Sequence, residues 1–325
     1  MLFTRALREF IASGAAKYNF TSKDVTTSHA FWTDLLLQYG IQLPKEQDFD
    51  ANRRALVDRV MRLVNDQQLQ GLYQAILLDE AHDFFPEEME LFSRLGRSLF
   101  AVADRRQKIY SGEAPFSVLE QIADKQVVLN HHYRNGYRIC QFADLLGKDR
   151  TSFQEISPSS NYDESARPSS VISHRCRSLD EEISLVFDKL DDQLKAYPDE
   201  MTGIISPSKD AVDRVWQRIS GSKYLGIASR HGDRQHLSFG PNTRICVSTL
   251  HTAKGLEFRA LHLVSCESLK GRPLPRSLAF TAVTRAKTSL DLYYSGELMG
   301  FLEEAVATLE PPTQLPSLDD VFSTE

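Results

Sequence analysis

The spacing of apolar and polar positions changes several times along the chain, and each change marks an element. Leu2 to Ile11 passes from a short apolar start into 3.6-residue spacing, which predicts a strand end turning into a helix. Ser28 to Tyr39 and Asn52 to Asn65 read as two further amphipathic helices. Ala75-Ile76-Leu77-Leu78 is instead a continuous apolar run that ends in acids, as expected of a parallel strand covered on both faces. Leu99 to Ala103 and Val127 to Leu129 repeat that pattern, with helices predicted over Pro86 to Leu95 and Phe116 to Ile122.

A Ser/Pro/Asp-rich loop, Thr151 to Ser170, interrupts this alternation, and the same grammar then restarts. Strands are predicted at Val171 to Ser173, Gly203 to Ser206, Arg244 to Ser248 and Leu261 to Val264, and helices at Leu179 to Lys195, Asp210 to Ile219 and Arg276 to Lys287. The expectation is an α/β fold of two open parallel-sheet units in series, over residues 1–129 and 130–308. Residues 309–325, with Pro311-Pro312 and several acids but no Lys or Arg, are expected to stay disordered.

Composition narrows the class. With 325 residues, 42% apolar and 25% charged, the chain is long enough for about two globular domains, and a cleft between them is available. The formal charge of -6 means that any nucleic-acid contact must come from a local basic track. Cys140, Cys176, Cys246 and Cys266 form no Cys-x-x-Cys pair, which points to a reducing, cytoplasmic setting. No stretch approaches the roughly 20 apolar residues that span a bilayer, so no membrane partner is expected.

Ligands of open α/β sheets bind at the carboxyl ends of strands, and Asp79-Glu80 leaves the run Ala75 to Leu78 at such an end. Asp79 can hold Mg²⁺, directly or through water, and Glu80 can orient or deprotonate an attacking water. The bland alternative is a pair of solvated acids before a helix. After Phe100 to Asp104, Gln107 can sense a terminal phosphate or water, and Tyr110 can stack on a base or simply pack. Arg134 in Asn130-His131-His132-Tyr133-Arg134-Asn135 and Arg285 in Thr281-Ala282-Val283-Thr284-Arg285-Ala286-Lys287 suit transition-state charge, though either alone reads equally as a surface ion pair. Ser248 to Phe258 concentrates hydroxyl, imidazole and ammonium donors at Thr249, His251 and Lys254, which suits a phosphodiester backbone or a capped turn.

In this order the segments DEAHD, DRRQKIY, NHHYRN, STLHTAKGLEF and TAVTRAK resemble the motifs of UvrD/Rep-type superfamily 1 DNA helicases, up to about Tyr294. The resemblance implies two RecA-like motor domains with an ATP and Mg²⁺ cleft between them, and 3′ to 5′ movement on single-stranded DNA. It implies DEAHD as Walker B, with Asp79 and Glu80; Gln107 as a phosphate sensor; Arg134 and Arg285 as arginine fingers; and Glu257 at the nucleotide ribose. Leu2-Phe3-Thr4-Arg5 and Thr27 to Phe31 are similar to the family's weaker DNA-contact elements, which places Thr4, Arg5, His29, Tyr110, Thr249, His251 and Lys254 along one DNA track.

The departures are equally specific. His82 stands where the family has Gln, Ala103 where it has Gly, and Gly112 near the place of a second aromatic. The interval from Arg134 to Ser248 has no room for a large accessory insertion. No Gly-x-x-x-x-Gly-Lys-Ser/Thr occurs, so the phosphate cradle is missing, and the sequence reads as a family member clipped by at least one βα unit, roughly 30 residues or more. Either the P-loop was lost, a partner chain supplies it, or the protein is an ATPase-deficient DNA-binding or regulatory descendant.

Overall fold

The computed structural model describes residues 1–2, 5–15, 21, 23–105, 107, 115–129, 132–147, 153–231, 239–240, 242–270 and 274–309. The first unit opens with α1 (Arg5–Ala15), α2 (Ser28–Gln38) and α3 (Phe49–Asp66). Thr27 and Asp48 cap α2 and α3 by accepting backbone N–H bonds from Ala30 and Ala51, which satisfies donors that the first turn would otherwise leave bare. Next come β1 (Ile76–Leu78), α4 (Pro86–Leu95), β2 (Leu99–Ala101) and α5 (Phe116–Ile122). The core beneath them centres on Trp32, which stacks on Phe92 with ring centroids 4.6 Å apart.

β1 pairs in parallel with β2, Leu77 opposite Phe100. On its other side the chain start lies along β1, where the Asp79 N–H donates to Met1 O at 3.1 Å, and Leu2 in turn bridges to Thr27. Ile76 and Leu78 point into the core, but Leu77 and Phe100 are 53% and 63% exposed, and Val102 two residues further is 46% exposed. One face of this small sheet is therefore apolar and uncovered among the described residues.

The second unit comprises α6 (Tyr137–Gly147), β3 (Ser170–Arg175), α7 (Leu179–Ala196), β4 (Thr202–Ser206), α8 (Lys209–Ser220), β5 (Ala228–His231), β6 (Ile245–Thr249), α9 (Leu250–Ala253), β7 (Phe258–Leu263), α10 (Pro275–Val283), β8 (Ala286–Tyr294) and α11 (Gly300–Ala307). Its six strands form one all-parallel sheet in the order β3-β8-β7-β4-β6-β5. Apolar clusters fill both faces, which is why β4 and β6 read as unbroken apolar runs. Gly203 in β4 is fixed by packing, since a Cβ there would lie 2.6 Å from the Phe258 ring.

The structure corrects several sequence expectations. Val127 to Leu129 forms no strand: it is 68 to 84% exposed and no described strand pairs with it. A parallel strand exists only with a neighbour, so apolar composition alone does not make one. The helix expected over Arg276 to Lys287 ends at Val283, and Ala286 to Tyr294 is the longest strand of the sheet, between β3 and β7. The Ser/Pro/Asp-rich loop, expected inside the second unit, is packed there from residue 153 on: Ile156 is buried in the second core, where Asp144 accepts the Ile156 and Ser157 N–H groups at 2.8 and 2.9 Å. α1 lies in the first unit by chain position, yet Ala6 joins the second core and Leu7 packs on Gly255. The tail expected to be disordered, save Leu309, lies outside the described residues. No helix among the described residues is long and apolar enough to cross a membrane.

Candidate nucleotide site between the two units

β1 delivers Asp79 and Glu80 at its carboxyl end. Glu80 adopts a left-handed backbone (φ 52°, ψ 41°), sparsely populated for a residue with a side chain, and its N–H donates to Asp79 Oδ1 at 2.9 Å. Burial raises the Glu80 pKa, while the nearby Arg285 and Lys254 charges pull it back. After this kink, His82 and Asp83 turn into the protein and are almost completely buried. The Asp83 carbonyl accepts from Arg53 at 3.0 Å; Arg53 also pairs with buried Glu88, whose other oxygen accepts from Trp32 Nε1 at 2.9 Å. The acids are thus rooted in the first core.

The second unit answers with cations. Arg285, 1% exposed, donates from Nη2 to Gln107 Oε1 at 2.5 Å and from Nε to Thr281 O at 3.0 Å. With its amide oxygen taken by Arg285, Gln107 donates from Nε2 to Asp104 Oδ2 at 3.1 Å. Lys254 is also 1% exposed, and its ammonium lies 2.6 Å from Asp83 Oδ2 and donates to Asp83 Oδ1 at 2.7 Å and Gln107 O at 2.8 Å.

His82 sits among these groups. Its Nδ1 accepts the Asp104 N–H at 3.1 Å, which leaves the proton of a neutral ring on Nε2, 3.2 Å from Glu80 Oε2 and 3.0 Å from Lys254 Nζ. Burial, followed by the Lys254 charge, pushes the His82 pKa down to about 3, so the ring is neutral at physiological pH. Glu80, His82 and Asp83 present ligand atoms within 4.8 Å of one another, but the Lys254 ammonium already supplies the positive charge there.

A second cluster joins Arg134, Glu257 and Lys287. Arg134 Nε lies 2.8 Å from Glu257 Oε1 and Lys287 Nζ lies 3.2 Å from Glu257 Oε2. Arg134, Gln107, Asp104 and His132 line one narrow cleft with only about 10 Å³ of free space.

The sequence-derived residues are therefore gathered unequally. Arg285 meets Gln107 directly and lies near Glu80, with Asp79 next to Glu80 in the chain, and Arg134 with Glu257 flanks them. Lys254, expected to face DNA, is instead inside the junction. It follows the last residue of α9 with extended backbone (φ -57°, ψ 132°), which turns its side chain out of the helix direction and into the protein. Thr249 is the N-cap of α9, accepting from the Thr252 N–H, and His251 and His29 are exposed on α9 and α2. Thr4 and Tyr110 lie outside the described residues, as does the side chain of Arg5. Sequence reasoning assigned no role to Asp83, Asp104 or Lys287. Asp83 and Lys287 belong to DEAHD and TAVTRAK, and Asp104 ends an apolar strand run as Asp79 does, which was the available signal.

Acids at a strand end of one α/β unit therefore lie near a buried arginine of the other. Residues 244–293, from β6 through most of β8, match the UvrD-like helicase C-terminal domain family. The chain is also similar to the C-terminal domain of a possible DNA helicase from Lactobacillus plantarum, at 21% identity over 55% of this chain and 96% of that one, with a TM-score of 0.38. Arterivirus nonstructural protein 10, a helicase solved in complex with DNA, matches at 14% identity over 72% of this chain and 42% of its own, with a TM-score of 0.38. The chain spans less than half of that viral protein. No curated protein matches the sequence.

Proposed function

We propose that this protein is an ATP-dependent translocase or helicase of the UvrD-like type that acts on single-stranded DNA in the 3′ to 5′ sense, with its nucleotide site at the junction of the two units. The observation that carries the reading is the nearness of Glu80, at the end of β1, to Arg285 of the opposite unit, which also holds Gln107.

The donor set fits one side of an ATP–Mg²⁺ site. Asp79 would hold the metal, and Mg²⁺ when bound neutralises phosphate charge. Glu80, its pKa raised by burial, would take a proton from water; Gln107, Arg134 and Arg285 would face the terminal phosphate; and Glu257 would meet the ribose. Each of these cations now has an internal partner, so a phosphate would have to exchange with Gln107 at Arg285 and with Glu257 at Arg134.

The fit is incomplete on the other side, because no Gly-x-x-x-x-Gly-Lys-Ser/Thr is present to supply backbone donors and a lysine. The uncovered face of Leu77, Phe100 and Val102 supports a further strand–helix unit, from a partner chain or another segment, bringing that cradle. The same lack favours a second reading, an ATPase-deficient DNA-binding or regulatory protein.

Thr4, Arg5, His29, Tyr110, Thr249 and His251 make the proposed DNA track. Fluorescence anisotropy with a salt titration tests it: Tyr110→Ala should weaken single-stranded DNA binding by roughly ten- to hundredfold with little change in salt slope, since stacking contributes about 1 to 3 kcal/mol per base. An unaltered affinity in Tyr110→Ala, or failure of the parent chain to bind single-stranded DNA, would remove the DNA-track assignment.

A further inference from the structure

We infer that Asp83 and Lys254 form a pin that fastens the two units in a closed arrangement, and that the cleft opens to a ligand of nucleotide size only when this pin separates. Three observations converge on the pair.

The first is geometry. The Lys254 ammonium contacts both carboxylate oxygens of Asp83, at 2.6 and 2.7 Å, with the Gln107 carbonyl at 2.8 Å and the His82 ring beside it, all from the opposite unit. Its side chain is 1% exposed and that of Asp83 0%, so water cannot replace either partner while the units stay together. Parting two buried charges leaves each uncompensated, which is far costlier than breaking a surface pair.

The second is anchorage. Asp83 is held by its carbonyl to Arg53, and through Glu88 to Trp32, so it cannot follow Lys254 without disturbing the first core. Lys254 follows Leu250 and Ala253, both buried in the second core, and precedes Gly255, whose left-handed backbone (φ 83°) brings it against Leu7. A contact fixed at both ends transmits displacement of one unit to the other.

The third is space. The cleft beside the pin offers only about 10 Å³, whereas small-molecule sites enclose roughly 300 to 1,000 Å³. Admitting a nucleotide-sized molecule requires the walls to part. Gln107 is on one wall and Arg134 and Thr284 are on the other, and the pin ties the first wall to α9 through the Gln107 carbonyl.

The test uses the full chain with spin labels at Glu90 on α4 and Gln217 on α8, both exposed, while the four native cysteines are buried. The parent protein should give one narrow distance distribution between the labels. Lys254→Met and Asp83→Asn should each broaden it toward longer distances and lower the melting temperature by roughly 5 to 10 °C. The double variant should be no less stable than the worse single variant, because two neutral partners leave no uncompensated charge. Should Lys254→Met fail to fold, Asp83→Asn, which keeps volume and a carbonyl oxygen for the ammonium, gives the reading alone. Unchanged distances in the single variants, or melting losses that simply add in the double variant, overturn the proposal.

Discussion

Arg285 and Gln107, 178 residues apart in sequence, share a hydrogen bond of 2.5 Å in which the buried guanidinium donates to the side-chain amide oxygen. The bond joins the start of β8 to the loop after β2, and so couples the strand ends of the two sheets. It also orients the amide, whose nitrogen donates to Asp104.

Gln107→Ala should therefore do more than remove a surface amide. It deletes the acceptor of an Arg285 donor that is buried away from water, and an unsatisfied buried donor costs about 1 to 3 kcal/mol. Urea unfolding should show a loss of that size. A change under about 0.5 kcal/mol would mean that Arg285 finds another acceptor without cost.

Acid should destabilise the fold through two buried, neutral histidines. Burial pushes the pKa of His82 down to about 3 and that of His262 down to about 4, against an unfolded value near 6.5. Below pH 6.5 the unfolded chain binds protons that the folded rings refuse, so stability falls as pH drops through that value. Asp83 works in the opposite direction: burial raises its pKa to about 6, and the folded state takes up a proton below that pH which the unfolded state does not. The slope should grow as pH falls through 6.5 and level off below about pH 6 at about one proton, two histidines less one carboxyl, without vanishing. Melting temperatures from pH 8 to pH 5 test this, and His262→Gln, which keeps a partner for Tyr293 or Gln193, should flatten the profile. A profile that stays flat in the parent protein would contradict it.

Gly255 carries both a backbone and a packing requirement. At φ 83° a side chain is strained by about 1 to 2 kcal/mol, and an added Cβ would come within 2.4 Å of Leu7 Cδ2. Gly255→Ala should lower unfolding stability by at least that strain, measured in denaturant. Adding Leu7→Ala should relieve the collision but not the backbone cost, so the double variant should show coupling. Strictly additive losses would place α1 away from α9.

Much of the second unit was legible because strands buried on both faces, such as β4 and β6, announce themselves as apolar runs between turn residues. β8 is hidden in the sequence because the helical spacing that begins at Arg276 carries through Lys287, while the true helix stops at Val283 without a glycine or proline to mark its end. The candidate site was legible at Asp79, Glu80, Gln107, Arg134, Glu257 and Arg285, which follow strand ends or lie in recognisable segments. Lys254 was not legible as an internal residue, since its place in STLHTAKGLEF says nothing about the backbone turn that swings it toward Asp83. Nor could one residue type reveal that His82 would be buried against that lysine.

The proposed nucleotide site is split between the two units and lacks a phosphate cradle. It is tested most directly by ATP hydrolysis, with and without single-stranded DNA, in the chain itself and in a fusion carrying a strand–helix P-loop unit before Met1. The chain alone should hydrolyse ATP weakly or not at all. The fusion should show DNA-stimulated hydrolysis, and Glu80→Gln in that fusion should abolish turnover while leaving nucleotide binding. Brisk hydrolysis by the unfused chain, or a fusion in which Glu80→Gln leaves turnover intact, would contradict the account.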